Sequence, residues 1–262
     1  LRKIIDAHMH LDQYSDLDIR RIITDLDRIQ CTNVISVSSH LDSCRTNLAL
    51  SQKFEQVKPA FGLHPEQELP SDTEIETLFS WIADQHKEMV AIGEVGLPYY
   101  LRSEMNNDAR FPIEGYIEVL EQFIKYAKKW DKPIILHAIY DDAPIVCNLL
   151  EMHSIEKAHF HWFKGNTATT QRIMDNGYYI SVTPDVLYET EIQTLVRQCP
   201  LEQMMVETDG PWQFKGKFDG QMTHPKMIHA SVSMISQIKE VYLAETYRTL
   251  HNNTFEFYKL DK

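Results

Sequence analysis

The sequence predicts an α/β fold, a single (β/α)8 (TIM) barrel spanning residues 1–262. Three observations carry this expectation. Short apolar runs rich in Val, Ile and aromatics recur eight times along the chain. Stretches with helical spacing alternate with them. No Ser/Gly-rich linker, low-complexity tract or block of like charge divides the 262 residues. A doubly wound open sheet is the alternative for the same βα order.

In chain order, the strand runs cover 3–11, 33–39, 58–64, 89–97, 133–138, 157–163, 178–183 and 203–208. Between them, helical spacing of apolar residues covers stretches such as 16–30, 71–87, 114–130 and 185–198. Ser71-Asp72-Thr73-Glu74 has the pattern of a capping box, which places a helix start there. Pro59, Pro133 and Pro200 are read as connections leading into strands. The stretch 244–259 closes the chain as an amphipathic helix whose Tyr247, Leu250, Thr254, Phe257 and Tyr258 pack into the core.

Composition excludes several classes. No run approaches the roughly 20 uncharged apolar residues of a membrane span. The opening Arg2-Lys3-Ile4-Ile5-Asp6 has no room for a signal peptide, so a cytoplasmic location is expected. Cys31, Cys44, Cys147 and Cys199 are far apart, which suggests buried reduced thiols and neither disulfides nor a thiolate zinc site. A formal net charge of −12 opposes the many Lys/Arg-phosphate contacts that wrap long nucleic acid. It leaves open a nucleic-acid enzyme whose metal ions supply local positive charge.

The polar residues fall at strand ends. His8 and His10 are two apart on one strand and point the same way. The later runs end in Glu94, His137, His161 and Asp209, each of metal-ligand type. In a barrel these ends converge at one mouth. Four imidazoles and two carboxylates exceed what one catalytic ion takes from protein, so two ions bridged by a carboxylate are expected, with hydrolysis as the natural chemistry. Zinc, magnesium, manganese and nickel all suit such donors.

Among the remaining candidates, His159 shares the parity of His161. Glu207 is read as orienting a neighbouring His. His40 is open between site and loop, and His224 is read as a cap before Pro225. His86, His153, His229 and His251 fall in helical patterns as partly exposed surface residues.

Six ordered motifs resemble the TatD family of metal-dependent deoxyribonucleases, a branch of the amidohydrolase superfamily. They are Asp6-Ala7-His8-Met9-His10-Leu11, Gly62-Leu63-His64-Pro65, Ala91-Ile92-Gly93-Glu94-Val95-Gly96-Leu97, Pro133-Ile134-Ile135-Leu136-His137, His161-Trp162-Phe163-Lys164-Gly165 and Glu207-Thr208-Asp209-Gly210-Pro211-Trp212. The resemblance implies an amidohydrolase-like barrel in which His8, His10 and Asp209 hold one ion, His137 and His161 hold the other, and Glu94 bridges them. It selects His161 over His159 and places His64 beside the substrate phosphate, where a loop cap after strand three is the other reading; Lys164 is open between a phosphate contact and a solvated surface lysine. The family often carries Asp where this chain has Pro98, so a polar contact is expected to be missing there.

The resulting expectation is a two-metal phosphodiesterase acting on DNA ends or single strands, with Asp209 and Glu94 as its catalytic carboxylates. Lys164, Lys215 and Arg102 would attract the substrate, and Tyr99, Tyr100, Trp162 and Trp212 would stack on its bases. No membrane or obligate protein partner is expected. A barrel hydrolase of lactones, amides or other phosphoesters is the first alternative, and a non-catalytic metal-binding protein the second.

Overall fold

The computed structural model describes residues 2–105 and 110–260. Its eight strands are β1 (Ile4–Met9), β2 (Cys31–Val37), β3 (Val57–Phe61), β4 (Ala91–Gly96), β5 (Ile134–His137), β6 (Ala158–Phe160), β7 (Tyr179–Val182) and β8 (Met204–Val206). They form one sheet in sequence order, with every ladder parallel. The helices are α1 (Asp16–Asp25), α2 (Leu41–Lys53), α3 (Asp72–Gln85), α4 (Tyr99–Glu104), α5 (Ile113–Trp130), α6 (Asp142–Met152), α7 (Thr167–Asp175), α8 (Thr190–Gln198), α9 (Ile228–Lys239) and α10 (Leu243–Phe257). This is the (β/α)8 barrel. Its last seam closes just beyond β8, where Asp209 N–H donates to the His8 carbonyl at 2.9 Å and His10 N–H to the Gly210 carbonyl at 2.7 Å.

The strands read as near-continuous apolar runs because both faces are covered. Outward residues such as Ile4, Ile92, Leu136 and Val206 pack under the helices. Ile5, Ala7, Ile35, Val37, Ala60, Ala91, Ile135 and Met205 fill the interior, joined there by Phe257, Tyr258 and Leu260 from the end of the chain. The capping box at α3 is present, with the Glu74 carboxylate accepting from Ser71 N–H at 2.9 Å. All four cysteines are free and buried. Among the described residues no helix is long and apolar enough to cross a membrane.

Three local expectations need correction. Pro59 lies inside β3, not before it; its carbonyl accepts from Val90 N–H one residue before β4 begins, so its missing N–H falls below the ladder. The helix expected over 185–198 is a 3-10 turn (Pro184–Leu187) followed by α8. The Asp185 carboxylate is held by Trp162 Nε1 and by the Thr183 hydroxyl, which fixes the turn in place. The helix expected over 16–30 ends at Asp25, because Gln30 turns to φ 56° to deliver Cys31 N–H to the Leu26 carbonyl.

Strict alternation fails at two strands, and both failures serve the mouth. On β4, Ala91 faces inward and Ile92 outward, yet Val95 also packs outward and Glu94 lies inside, because the pairing with β5 shifts between Ile92 and Val95. On β1, Ile5 and Ala7 face inward, but Met9 packs outward and His8 inward across a shift between Asp6 and Met9. Irregularities of this kind re-aim side chains near functional sites. The β4 shift depends on Gly93, whose φ is 148° and where a Cβ would come within 2.6 Å of the Ile135 Cβ. Gly93→Ala is therefore expected to lose about 2 kcal/mol or more of unfolding free energy, from the backbone conformation and the clash together, measured by urea denaturation.

Candidate metal centre

Glu94 is completely buried, and its two carboxylate oxygens face two different sets of side chains. Oε2 lies 3.2 Å from His8 Nε2 and 3.2 Å from His10 Nε2. Asp209 Oδ1 completes that set, 3.3 Å from His8 Nε2 and 3.7 Å from His10 Nε2. Oε1 lies 2.6 Å from His161 Nε2, 3.0 Å from His137 Nδ1 and 3.4 Å from His64 Nε2. His137 Nδ1 and His161 Nε2 are 3.3 Å apart.

The first set fits an ion. Ligands placed ~2.0–2.1 Å from a tetrahedral zinc are separated by about 3.3 Å, close to the 3.2 Å from Glu94 Oε2 to His8 Nε2 and to His10 Nε2 and the 3.3 Å from His8 Nε2 to Asp209 Oδ1, with His10 Nε2 to Asp209 Oδ1 wider at 3.7 Å. His8 Nε2, Glu94 Oε2 and Asp209 Oδ1 are also buried without a hydrogen-bond partner. Orphaned buried polar atoms are costly unless something satisfies them, and a cation among them would do so. His8, His10 and Glu94 form one group able to hold a metal, and His64, Glu94 and His137 another.

The electrostatics follow from the same packing. Burial alone would push the Glu94 carboxyl up, but the imidazoles of His161, His64 and His8 outweigh it and hold it well below the usual carboxylate range. Asp209 behaves similarly: burial opposes ionisation, and the hydrogen bond and charge of His8 together with His161 win. Burial and His161 depress His8, but Glu94 and Asp209 more than compensate and raise it to about 9. Both carboxylates are thus ionised and ready to receive a cation, whose arrival would release protons from the imidazoles.

A surrounding shell orients the ligands. His161 Nδ1 faces Glu207 Oε1 at 3.6 Å, and Glu207 also accepts from Trp162 N–H at 2.9 Å. His159 is not among the converging donors. Its Nδ1 is taken by the Tyr258 hydroxyl and its Nε2 by Ser181 Oγ, both at 2.7 Å, and burial followed by His8 and His161 keeps its pKa well below the usual imidazole value. His40 Nδ1 accepts from Ser43 N–H as the cap of α2, and His224 Nδ1 accepts from Lys226 N–H at another helix start. Lys164 lies outside the cluster, with its ammonium 4.8 Å from the Trp162 ring centre. Arg102 is not free to meet a phosphate, because it is paired with the buried carboxylate of Asp142.

Two residues escaped the sequence reading. Asp6 accepts from the backbone and hydroxyl of Thr208, tying β1 to the residue before Asp209; burial pushes its carboxyl up to about 7 against those bonds. Its place two residues before His8 was the available signal. Glu66 accepts from His137 at Nε2 (3.0 Å) and from the N–H groups of Tyr100 (2.8 Å) and Leu101 (2.7 Å). Glu66 thus engages both a ring of the cluster and the backbone just beyond Pro98. Only its position just after His64-Pro65 hinted at this.

Comparison with known proteins identifies the family and the fold. Residues 5–259 match the family model described as TatD related DNase. A metal-dependent hydrolase of Haemophilus influenzae is 38% identical, covering 98% of this chain and all of that protein. Human Deoxyribonuclease TATDN3 is 25% identical over 97% of this chain and 94% of its own length. The crystal structure of the Escherichia coli TatD homolog YjjV superposes with a TM-score of 0.86 at 23% identity, over 98% of both chains.

If His161 Nε2 is a ligand and His159 only packs behind it, His161→Gln should lose one equivalent of bound metal after dialysis while His159→Gln keeps the wild-type content. Metal analysis of the purified variants checks this, and the opposite result would reverse the assignment.

Proposed function

We propose that this chain, which belongs to the TatD-related DNase family of metal-dependent hydrolases, cleaves phosphodiester bonds at the ends or single-stranded parts of DNA with two divalent ions. The observation that supports this reading most is the split of the buried Glu94 carboxylate, one oxygen toward His8, His10 and Asp209 and the other toward His137, His161 and His64. In this reading His8, His10 and Asp209 would hold one ion and His137 and His161 the other, with Glu94 placed to serve both. Bound there, a pair of divalent cations supplies Lewis acidity and makes a water molecule acidic enough to act as a nucleophile.

The side chains divide the remaining work. Glu94 is sealed from solvent, whereas the Asp209 side chain is 13% exposed toward the mouth. Asp209 is therefore the carboxylate that a substrate-side water reaches; it takes the proton as that water attacks phosphorus in line, the opposite P–O ester bond breaks, and Asp209 can return the proton to the departing alkoxide, leaving a phosphate monoester and an alcohol. His64, half-buried beside Glu94 Oε1, is placed to donate to a phosphate oxygen as its negative charge grows. Trp212 and Tyr100 are exposed, and Trp162 lies 5.5 Å from Trp212 between ring centres. Bases unstacked at an end or in a single strand can lie on such faces, each stack contributing ~1–3 kcal/mol. A net charge of −12, with Arg102 already paired, disfavours the many Lys/Arg-phosphate contacts that long duplex requires. Lys164 beside Trp162 is the cation best placed to assist.

Asp209→Asn should lower kcat on a phosphodiester by a factor on the order of 100 or more while much of the metal stays bound, as expected for loss of a general base. Steady-state kinetics with parallel metal analysis checks it. Digestion of end-labelled single strands, blunt duplexes and closed circles should give ladders from one terminus and leave circles intact. Equal cutting of circles would refute the end preference, and turnover of a lactone or amide without cleavage of any nucleic acid would replace the phosphodiester assignment.

A further inference from the structure

The start of α4 is capped in an unusual way. Its N-cap position is Pro98, which has no side-chain acceptor, and the N–H groups two and three residues on would ordinarily be satisfied by an Asp, Asn or Ser in that place. Here the acceptor comes from the loop after β3. Glu66 Oε1 accepts from Tyr100 N–H at 2.8 Å and Oε2 from Leu101 N–H at 2.7 Å. The same Oε1 lies 3.0 Å from His137 Nε2. His137 turns its other nitrogen, Nδ1, toward Glu94 Oε1 and His161 Nε2. One carboxylate thus holds both a ring that faces the cluster and the backbone that carries Tyr99 and Tyr100. The far end of that segment is also fixed, since Arg102 is paired with buried Asp142 on α6.

We propose that Glu66 is a positioning residue that fixes His137 with Nδ1 directed at the second ion and couples that ligand to the substrate-facing segment Tyr99–Glu104. Accepting a proton from Nε2 leaves Nδ1 as the lone-pair nitrogen and makes it a better donor to a metal, the usual effect of a carboxylate behind a ligating imidazole. A hydrogen bond shared with the backbone of α4 makes the ring and the Tyr99-Tyr100 turn move together. Binding of substrate against Tyr100, whose ring centre is 6.3 Å from that of His137, is then felt at the ligand. This inference rests on the two-ion reading above, so its test separates the two.

The experiment measures zinc binding to the full chain by competition with a chromophoric chelator, together with thermal melting. The wild type should take up two zinc ions. Glu66→Ala should keep one with unchanged affinity and bind the other about 10- to 100-fold more weakly, the range typical for loss of such a partner. Its melting midpoint should also fall, because the cap of α4 is lost. Adding Pro98→Asp to that variant supplies a local cap, so it should recover the melting midpoint but not the zinc affinity. Wild-type affinity for both ions in Glu66→Ala, equal weakening of both, or recovery of affinity along with stability in the double variant would each overturn the proposal. A wild type that binds a single zinc would overturn the two-ion reading and this assignment with it, before any variant is compared.

Discussion

A fully buried carboxylate surrounded by imidazoles is the constraint on which the mouth of this barrel depends. Placing the charge of Glu94 in the interior would cost several kcal/mol if it stood alone, and the protein compensates from five directions, with His8, His10, His64, His137 and His161. Those groups come from the ends of β1 and β5 and from segments just beyond β1, β3 and β6. Only a closed ring of parallel strands brings such distant positions to one point.

The backbone is adapted to that need. Regular pleating would aim Glu94 at the helices and His8 away from the interior; the shifts in β4 and β1 turn both inward. The seam between β1 and β8 is made by the site itself: Asp209 N–H bonds the His8 carbonyl, and Asp6 holds Thr208. Closing the barrel and setting the distance between His8 and Asp209 are therefore one event. Deeper in the interior, Ser181, His159 and Tyr258 continue the polar network behind His161 and Glu207, which connects the end of the chain to the orientation of a mouth residue.

The surroundings of the mouth make the family chemistry specific to this chain. Aromatic rings stand beside the cluster at the start of α4 and after β8, while the net charge is −12 and Arg102 is taken up in an internal pair with Asp142. In the proposed reading, attraction for an anionic substrate would be concentrated at the cluster, and recognition elsewhere would rest on stacking.

Much of this was legible in the sequence. Alternating apolar runs and helical stretches pointed to the barrel, and ligand-type residues at the ends of five strands pointed to His8, His10, Glu94, His137 and Asp209 together with His159 or His161. These signals are local, because period, burial and the end of an apolar run are written in adjacent residues. His161 could be told from His159 only through the family motif, since both have the same parity; the structure supplies the physical reason, which is that both nitrogens of His159 are already engaged. Tertiary structure alone decided the rest. The inward turn of Glu94 depends on how β4 pairs with β5, the hold of Asp6 on Thr208 spans 202 positions, and Glu66 reaches His137 across 71. Hydrogen bonds between loops and seams carry no periodicity and no fixed spacing, so they exist only once the ring of strands has closed and brought their partners within reach.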